Sequence, residues 1–320
     1  MNVAVKLAVT GFVMAVAGTG CVVSKADDAD RFREPIPGAD EVALKVPGGS
    51  GSATRTQGLH ITTNGPTSSS ARYYRFTRDL TSSVDGGTAV ILGAIWAVVN
   101  TAPTSIDGKT ATWGPGQGNA LDPVVWRFRV TEVAAGEYDY VLEGQRKGTS
   151  DYLAILTGHG YGKSRPEHKT GWFEADNDAM NQLDPDRAHD EGRLKVTYDL
   201  KQLPATIAVE VRQGTGKPWA DVTVTHETGG AGSVVITGLG DIDDSKATKL
   251  EDVALTSRWD TTGAGRADIT IAGGDLPATT PKVEATECWS SSFARVYYED
   301  TVSYEPTSGD ASACAFAASN

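Results

Sequence analysis

The side chains of this chain that could do chemistry are its histidines, its cysteines, a glycine-rich run and two acidic clusters. The histidines are His60, His159, His168, His189 and His226, and no two have the His-x-x-x-His spacing that puts both rings on one zinc ion. His159 and His168 bracket a single turn and read as loop residues. The run Thr157-Gly158-His159-Gly160-Tyr161-Gly162-Lys163-Ser164 ends like a phosphate-binding loop. Thr157 stands where the first glycine belongs, however, and Arg165-Pro166 follows where a helix should open. It reads as a glycine-rich hairpin connection. Asp176-Asn177-Asp178 and Asp241-Ile242-Asp243-Asp244 offer oxygen ligands without the register or bidentate glutamate of a calcium loop, so turn and capping chemistry is expected of them. There is no Gly-x-Ser-x-Gly elbow, and the carboxylates are too scattered to select a glycosidase pair. No catalytic residue, metal ligand or cofactor is assigned.

The cysteines carry more information. Lys6 precedes an apolar stretch from Leu7 to Ala17, which is too short to span a bilayer, and Gly18-Thr19-Gly20-Cys21 follows. This resembles the lipobox of bacterial lipoproteins, departing from it at Gly18, where leucine is common. The resemblance implies that residues 1–20 are a cleaved signal peptide and that Cys21 is acylated as the new N-terminus. Residues 21–56, with Asp27-Asp28-Ala29-Asp30, Pro35, Pro37, Pro47 and Gly48-Gly49-Ser50-Gly51-Ser52, are then expected to be a flexible tether. Cys288 and Cys314 remain. In an oxidising compartment two leftover cysteines are expected to pair, the alternative being two separate buried thiols.

These groups need elements to position them. Residues 71–100 are the one long helical candidate, interrupted at Gly86-Gly87, with an almost wholly apolar second half from Ala89 to Val99. From Val124 the apolar period becomes two: Trp126, Phe128 and Val130, then Tyr138, Tyr140 and Leu142, alternate with polar residues. About twelve such strands follow one another across short turns, with a short helix at 176–183. The expected fold is mainly β: a large antiparallel meander curled into a barrel or half-barrel, with one apolar helix packed on it. Residues 57–320 are read as a single β-rich domain.

Composition narrows the function. The chain has 320 residues, 39% hydrophobic and 22% charged, enough for a packed core. Its net charge of −12 argues against nucleic acid and against electrostatic attraction to anionic lipid. The segment from Arg258 to Asp268, the runs Glu287-Cys288-Trp289 and Phe293 to Tyr298, and the Ser312-Ala313-Cys314 tail, taken with the leader, resemble uncharacterised β-rich lipoproteins of bacterial envelopes. That resemblance covers roughly residues 110–320 as a style of sequence and carries no known activity. The expectation is a non-catalytic lipoprotein held on the membrane, with the outer membrane the expected site. It would either shield an apolar ligand such as a lipid or act as a scaffold. The alternative is a secreted surface hydrolase whose catalytic residues the sequence does not name.

Overall fold

The structure, a computed structural model, describes residues 29–48, 70–117, 122–186, 191–214, 217–240 and 249–318. The expected signal peptide, Cys21, His60, His189 and the Asp241–Asp244 run lie outside the described residues.

The long helix α1 is Arg72–Val99. It precedes strands β1 (Ser105–Asp107), β2 (Thr110–Gly116), β3 (Val124–Ala134), β4 (Glu137–Arg146), β5 (Leu153–Tyr161) and β6 (Thr170–Asp176). Helix α2 (Asn177–Leu183) and strand β7 (Arg193–Asp199) come next. The remaining strands are β8 (Ala205–Arg212), β9 (Trp219–His226), β10 (Gly232–Gly240), β11 (Glu251–Trp259), β12 (Gly265–Gly273), β13 (Lys282–Trp289), β14 (Arg295–Asp300) and β15 (Ser308–Gly309). The strands form the expected antiparallel meander, in chain order from β1 to β15. That order has two ends, so the sheet is open and the closed-barrel form of the expectation is set aside.

The chain divides into two compact units. The first contains Gly87–Lys201 and the described residues up to Ala43. The second contains Leu44–Gly86 and Gln202–Asn320. Helix α1 supplies its last turns to the first unit and its opening turns to the second.

In the first unit the period-two reading holds. Trp126, Phe128 and Val130 of β3, and Tyr138 and Tyr140 of β4, are buried on one face, and Val130 pairs with Tyr140 across the strands. Phe128 lies 6.2 Å from Tyr140 and 5.9 Å from Trp113 of β2, ring centre to ring centre. Helix α2 closes one end of the sheet: Ala179 and Leu183 pack on Val124, Trp126 and Ile155. Asp176 caps that helix by accepting from the Ala179 N–H at 2.9 Å, the role expected of its acidic cluster.

In the second unit Ile207, Val209, Val222, Val224, Val234, Ile236, Leu255 and Ile269 form the same kind of inward face. Tyr74 of α1 stacks on Phe293 at 4.4 Å and lies 5.7 Å from Trp289. The indole N–H of Trp289 donates to the Gly263 carbonyl at 2.9 Å, which lets so large a side chain be fully buried.

Helix α1 runs unbroken through Gly86-Gly87, where an interruption was expected. Its buried positions explain this. Tyr73, Thr77, Thr81, Val84, Thr88, Ile91, Ile95 and Val98 recur at steps of three or four, so one stripe continues past the glycines. Burial of that stripe outweighs a propensity cost of about 1 kcal/mol per glycine. The Thr77 and Thr81 hydroxyls donate to the carbonyls of Tyr73 and Thr77, so they enter the core without an unmet hydrogen bond.

Residues 29–48 are the largest departure from expectation. They were read as part of a tether, yet Phe32, Ile36, Val42 and Leu44 are at most 3% exposed. The prolines and charges of this segment suggested an extended solvated chain. Its apolar residues are instead core residues of both units.

Candidate functional site

The first place to look for a function is the apolar face beneath α1 and the N-terminal arm, because a carrier of lipid would need space there. In the first unit that space is filled by side chains. Leu92, Ile95 and Val99 of α1 and Phe32 of the arm are all at most 2% exposed. Phe32 meets the Tyr138 ring edge-on at 6.0 Å. The arm is fixed by polar contacts as well. Trp96 donates its indole N–H to the Pro37 carbonyl at 3.0 Å, Arg33 donates to the carbonyls of Val99 and Thr101, and Glu34 accepts from the Lys163 N–H at 2.8 Å.

Two glycines make this docking possible. Gly158 and Gly160 alternate with His159 and Tyr161 along β5, and both face inward. A Cβ at Gly158 would lie 2.2 Å from the Tyr140 ring, and one at Gly160 would lie 2.3 Å from the Pro35 carbonyl oxygen. Thr157–Tyr161 of the glycine-rich run are therefore the second half of β5, and Gly162-Lys163-Ser164 begin the expected hairpin connection to β6. The glycines of β5 admit a tyrosine ring and the backbone of the arm.

Between the arm and the ends of β5, β6 and β7 lies a small cleft of about 30 Å³, open to solvent. Pro35, Ile36, Pro37 and Leu200 supply apolar wall, and Glu34, Glu41, His168 and Tyr198 supply polar groups. Tyr198 continues the inward alternation Leu194, Val196, Tyr198 of β7 and is 5% exposed. Burial, with the nearby Glu41 carboxylate adding to it, pushes its hydroxyl well above the ordinary tyrosine range, so it stays protonated as a donor. His168 is oriented by its Nδ1, 3.1 Å from the Tyr161 carbonyl. The cleft has the means to hydrogen-bond a small polar group. The alternation of β7 turns Tyr198 inward, but its meeting with Glu34 and Glu41 depends on the packed arm, which was read as a tether.

On the other face of the same sheet His159 is held between two acidic side chains. Its Nδ1 is 2.7 Å from Asp139 and its Nε2 is 3.6 Å from Glu137. The Tyr161 ring stands edge-on to it at 5.0 Å. His159 and His168 thus belong to opposite faces and different groups. Nearby, Glu143 takes hydrogen bonds from Arg127 at 2.7 Å and Arg129 at 2.9 Å. Burial raises the Glu143 pKa, but the two guanidinium groups outweigh it and hold the carboxyl below its usual range.

In the second unit the charged residues near the late hairpin are structural. Asp268 joins Arg266 at 2.7 Å and Arg258 at 3.6 Å and accepts from Thr286 at 2.8 Å, while Asp260 binds the turn residue Thr262. Glu287 of β13 is fully buried and accepts from the N–H of Tyr73 at the start of α1, so a strand residue caps the helix. Burial raises its pKa, partly offset by the N–H groups of Arg72 and Tyr73. The expected Cys288–Cys314 disulfide is present. Cys21 lies outside the described residues, and among the described residues no group of three or more His, Cys, Asp or Glu side chains is arranged to hold a metal ion.

Comparison with family models, curated proteins and solved structures finds no match.

Proposed function

We propose that this chain is a membrane-anchored lipoprotein of the bacterial envelope, non-catalytic, whose β meander serves as a rigid scaffold held close to the bilayer. The observation that carries the reading is the packed arm. Residues following the acylatable Cys21 by as little as eight positions are already core residues, from Ala29 at 4% exposed to Phe32 at 0%. An anchor attached there acts on the folded body directly and not through a long spacer. The filled space beneath α1 favours a scaffold over a lipid carrier.

The reading is tested by labelling cells with radioactive palmitate. The natural chain is expected to take up label and to fractionate with membranes, and Cys21→Ser to lose both. Equal labelling of the two would overturn the lipoprotein reading. Native mass spectrometry of the mature protein separates scaffold from carrier: no retained lipid beyond the covalent acyl chains is expected, and a stoichiometric bound lipid would overturn the scaffold.

The cleft beside Tyr198 supports a second reading, a binding module for a small polar ligand. Tyr198, 5% exposed, is among the residues that line it.

A further inference from the structure

We infer that the outward face of the second half of α1 rests on the lipid bilayer itself, as an interfacial helix beside the acyl anchor. This rests on the lipoprotein reading and adds to it a specific membrane-contact surface.

The face is defined by exposure. Ala89, Val90, Gly93 and Ala97 are exposed and recur at three- and four-residue steps, opposite the buried stripe of Ile91, Leu92, Ile95, Val98 and Val99. Val90 is 40% exposed. A Cβ placed at Gly93 meets nothing within 4 Å. No aspartate, glutamate, lysine, arginine or histidine occurs from Gly86 to Asn100. Half-buried Trp96 has its one donor satisfied by the Pro37 carbonyl, so its ring borders the face without an unmet polar group. The helix is long and apolar enough to cross a membrane by composition, but its inward stripe is committed to the protein core. What remains suits a helix lying in the interface.

The anchor decides the occupant. Arg33, four residues into the described chain, is fastened to the carbonyls of Val99 and Thr101, at the C-terminal end of this same half-helix. Eight peptide steps separate Cys21 from Ala29. Fully extended they reach about 29 Å, and as a coil about 16 Å. The acyl chains therefore enter the bilayer within that reach of Ala29, four residues before the arginine fastened to the helix end, and the tethered face meets lipid at an effective concentration on the order of millimolar. The net charge of −12 gives no attraction to anionic lipid, so the contact is apolar and does not require it.

The test uses the acylated mature protein on phosphatidylcholine vesicles. Acylation occupies Cys21 and the disulfide occupies Cys288 and Cys314, so a single introduced cysteine is the one reactive thiol. Val90→Cys and Ala97→Cys are labelled with an environment-sensitive fluorophore, with Val133→Cys, exposed at the end of β3, as the control. The labels at 90 and 97 are expected to shift to the blue on vesicles. They should be quenched severalfold more by nitroxide lipids than the label at 133, and less by aqueous iodide. Acylated, vesicle-bound protein in which all three positions are equally open to iodide would overturn the inference and leave the lipoprotein reading standing. A chain that carries no acyl group would overturn both. A blue shift at 90 and 97 that grows with protein concentration in the Cys21→Ser chain without vesicles would assign the face to a second copy, and would also overturn it.

Discussion

Asp85 is a carboxylate set in the middle of α1, where burial pushes its pKa from the ordinary 3.8 up to about 6. The N–H of Leu44 donates to it at 2.7 Å and lowers it, as does the charge of Lys45, without cancelling the burial. Because the folded pKa is the higher one, the group's contribution to stability is fully present below about pH 4. It is lost as pH rises through 6. A rise of about two units at about 1.4 kcal/mol each amounts to about 3 kcal/mol lost by pH 8. Asp85→Asn keeps an oxygen for the Leu44 N–H, has similar helix propensity and cannot ionise. The variant is therefore expected to match the natural protein at pH 4. At pH 8 it should be more stable by about 2–3 kcal/mol, with the gain appearing between pH 4 and pH 6. Urea unfolding followed at unit steps from pH 4 to pH 8, with slopes compared to check that the transition is unchanged, measures this difference directly. A difference that stays constant with pH, or an asparagine variant less stable at pH 8, would refute the reasoning, because burial would then not be what disfavours the charge.

Two further outcomes follow from packing and from the covalent link. Gly160→Ala places a methyl group against the Pro35 carbonyl oxygen; it should cost on the order of 2–4 kcal/mol and make the arm around Arg33 cleavable by trypsin in the native protein. Reducing the Cys288–Cys314 bond, across a sequence separation of 26, should remove about 3.5 kcal/mol by the loop-entropy relation; residues 308–318 should become protease-sensitive at temperatures where the rest of the chain is still folded.

Much of the fold was legible because burial writes period two and period 3.6 into a sequence. The alternations in β3, β4 and β7 and the stripe of α1 were of that kind. The disulfide followed from having two cysteines left over in a chain read as exported. What was not legible had a second cause acting on the same residues. In β2, Ala111 and Trp113 alternate as a strand should, but Gly114 and Pro115 cut the alternation short. Gly158 and Gly160 also read as turn residues, because nothing local says that a tyrosine ring and the arm's backbone need the room. The arm was obscured by its prolines and acids, although Phe32, Ile36, Val42 and Leu44 were there to be counted. The grouping of Tyr198 with Glu34, Glu41 and His168 was beyond reach, since it depends on long-range docking of that arm.

The packed arm also governs when the native state can form. Arg31 bonds to Glu132 across 101 residues, Glu34 to Lys163 across 129, and Tyr73 to Glu287 across 214. A chain that emerges from synthesis N-terminus first presents the arm first and its docking strands much later. Until β5 has emerged, the arm has no glycine-lined seat, and until β13 has emerged, α1 has no cap. Contacts of such long range make folding slow. A topology that withholds its closing contacts until most of the chain is present keeps the N-terminal segments from settling into a partial fold.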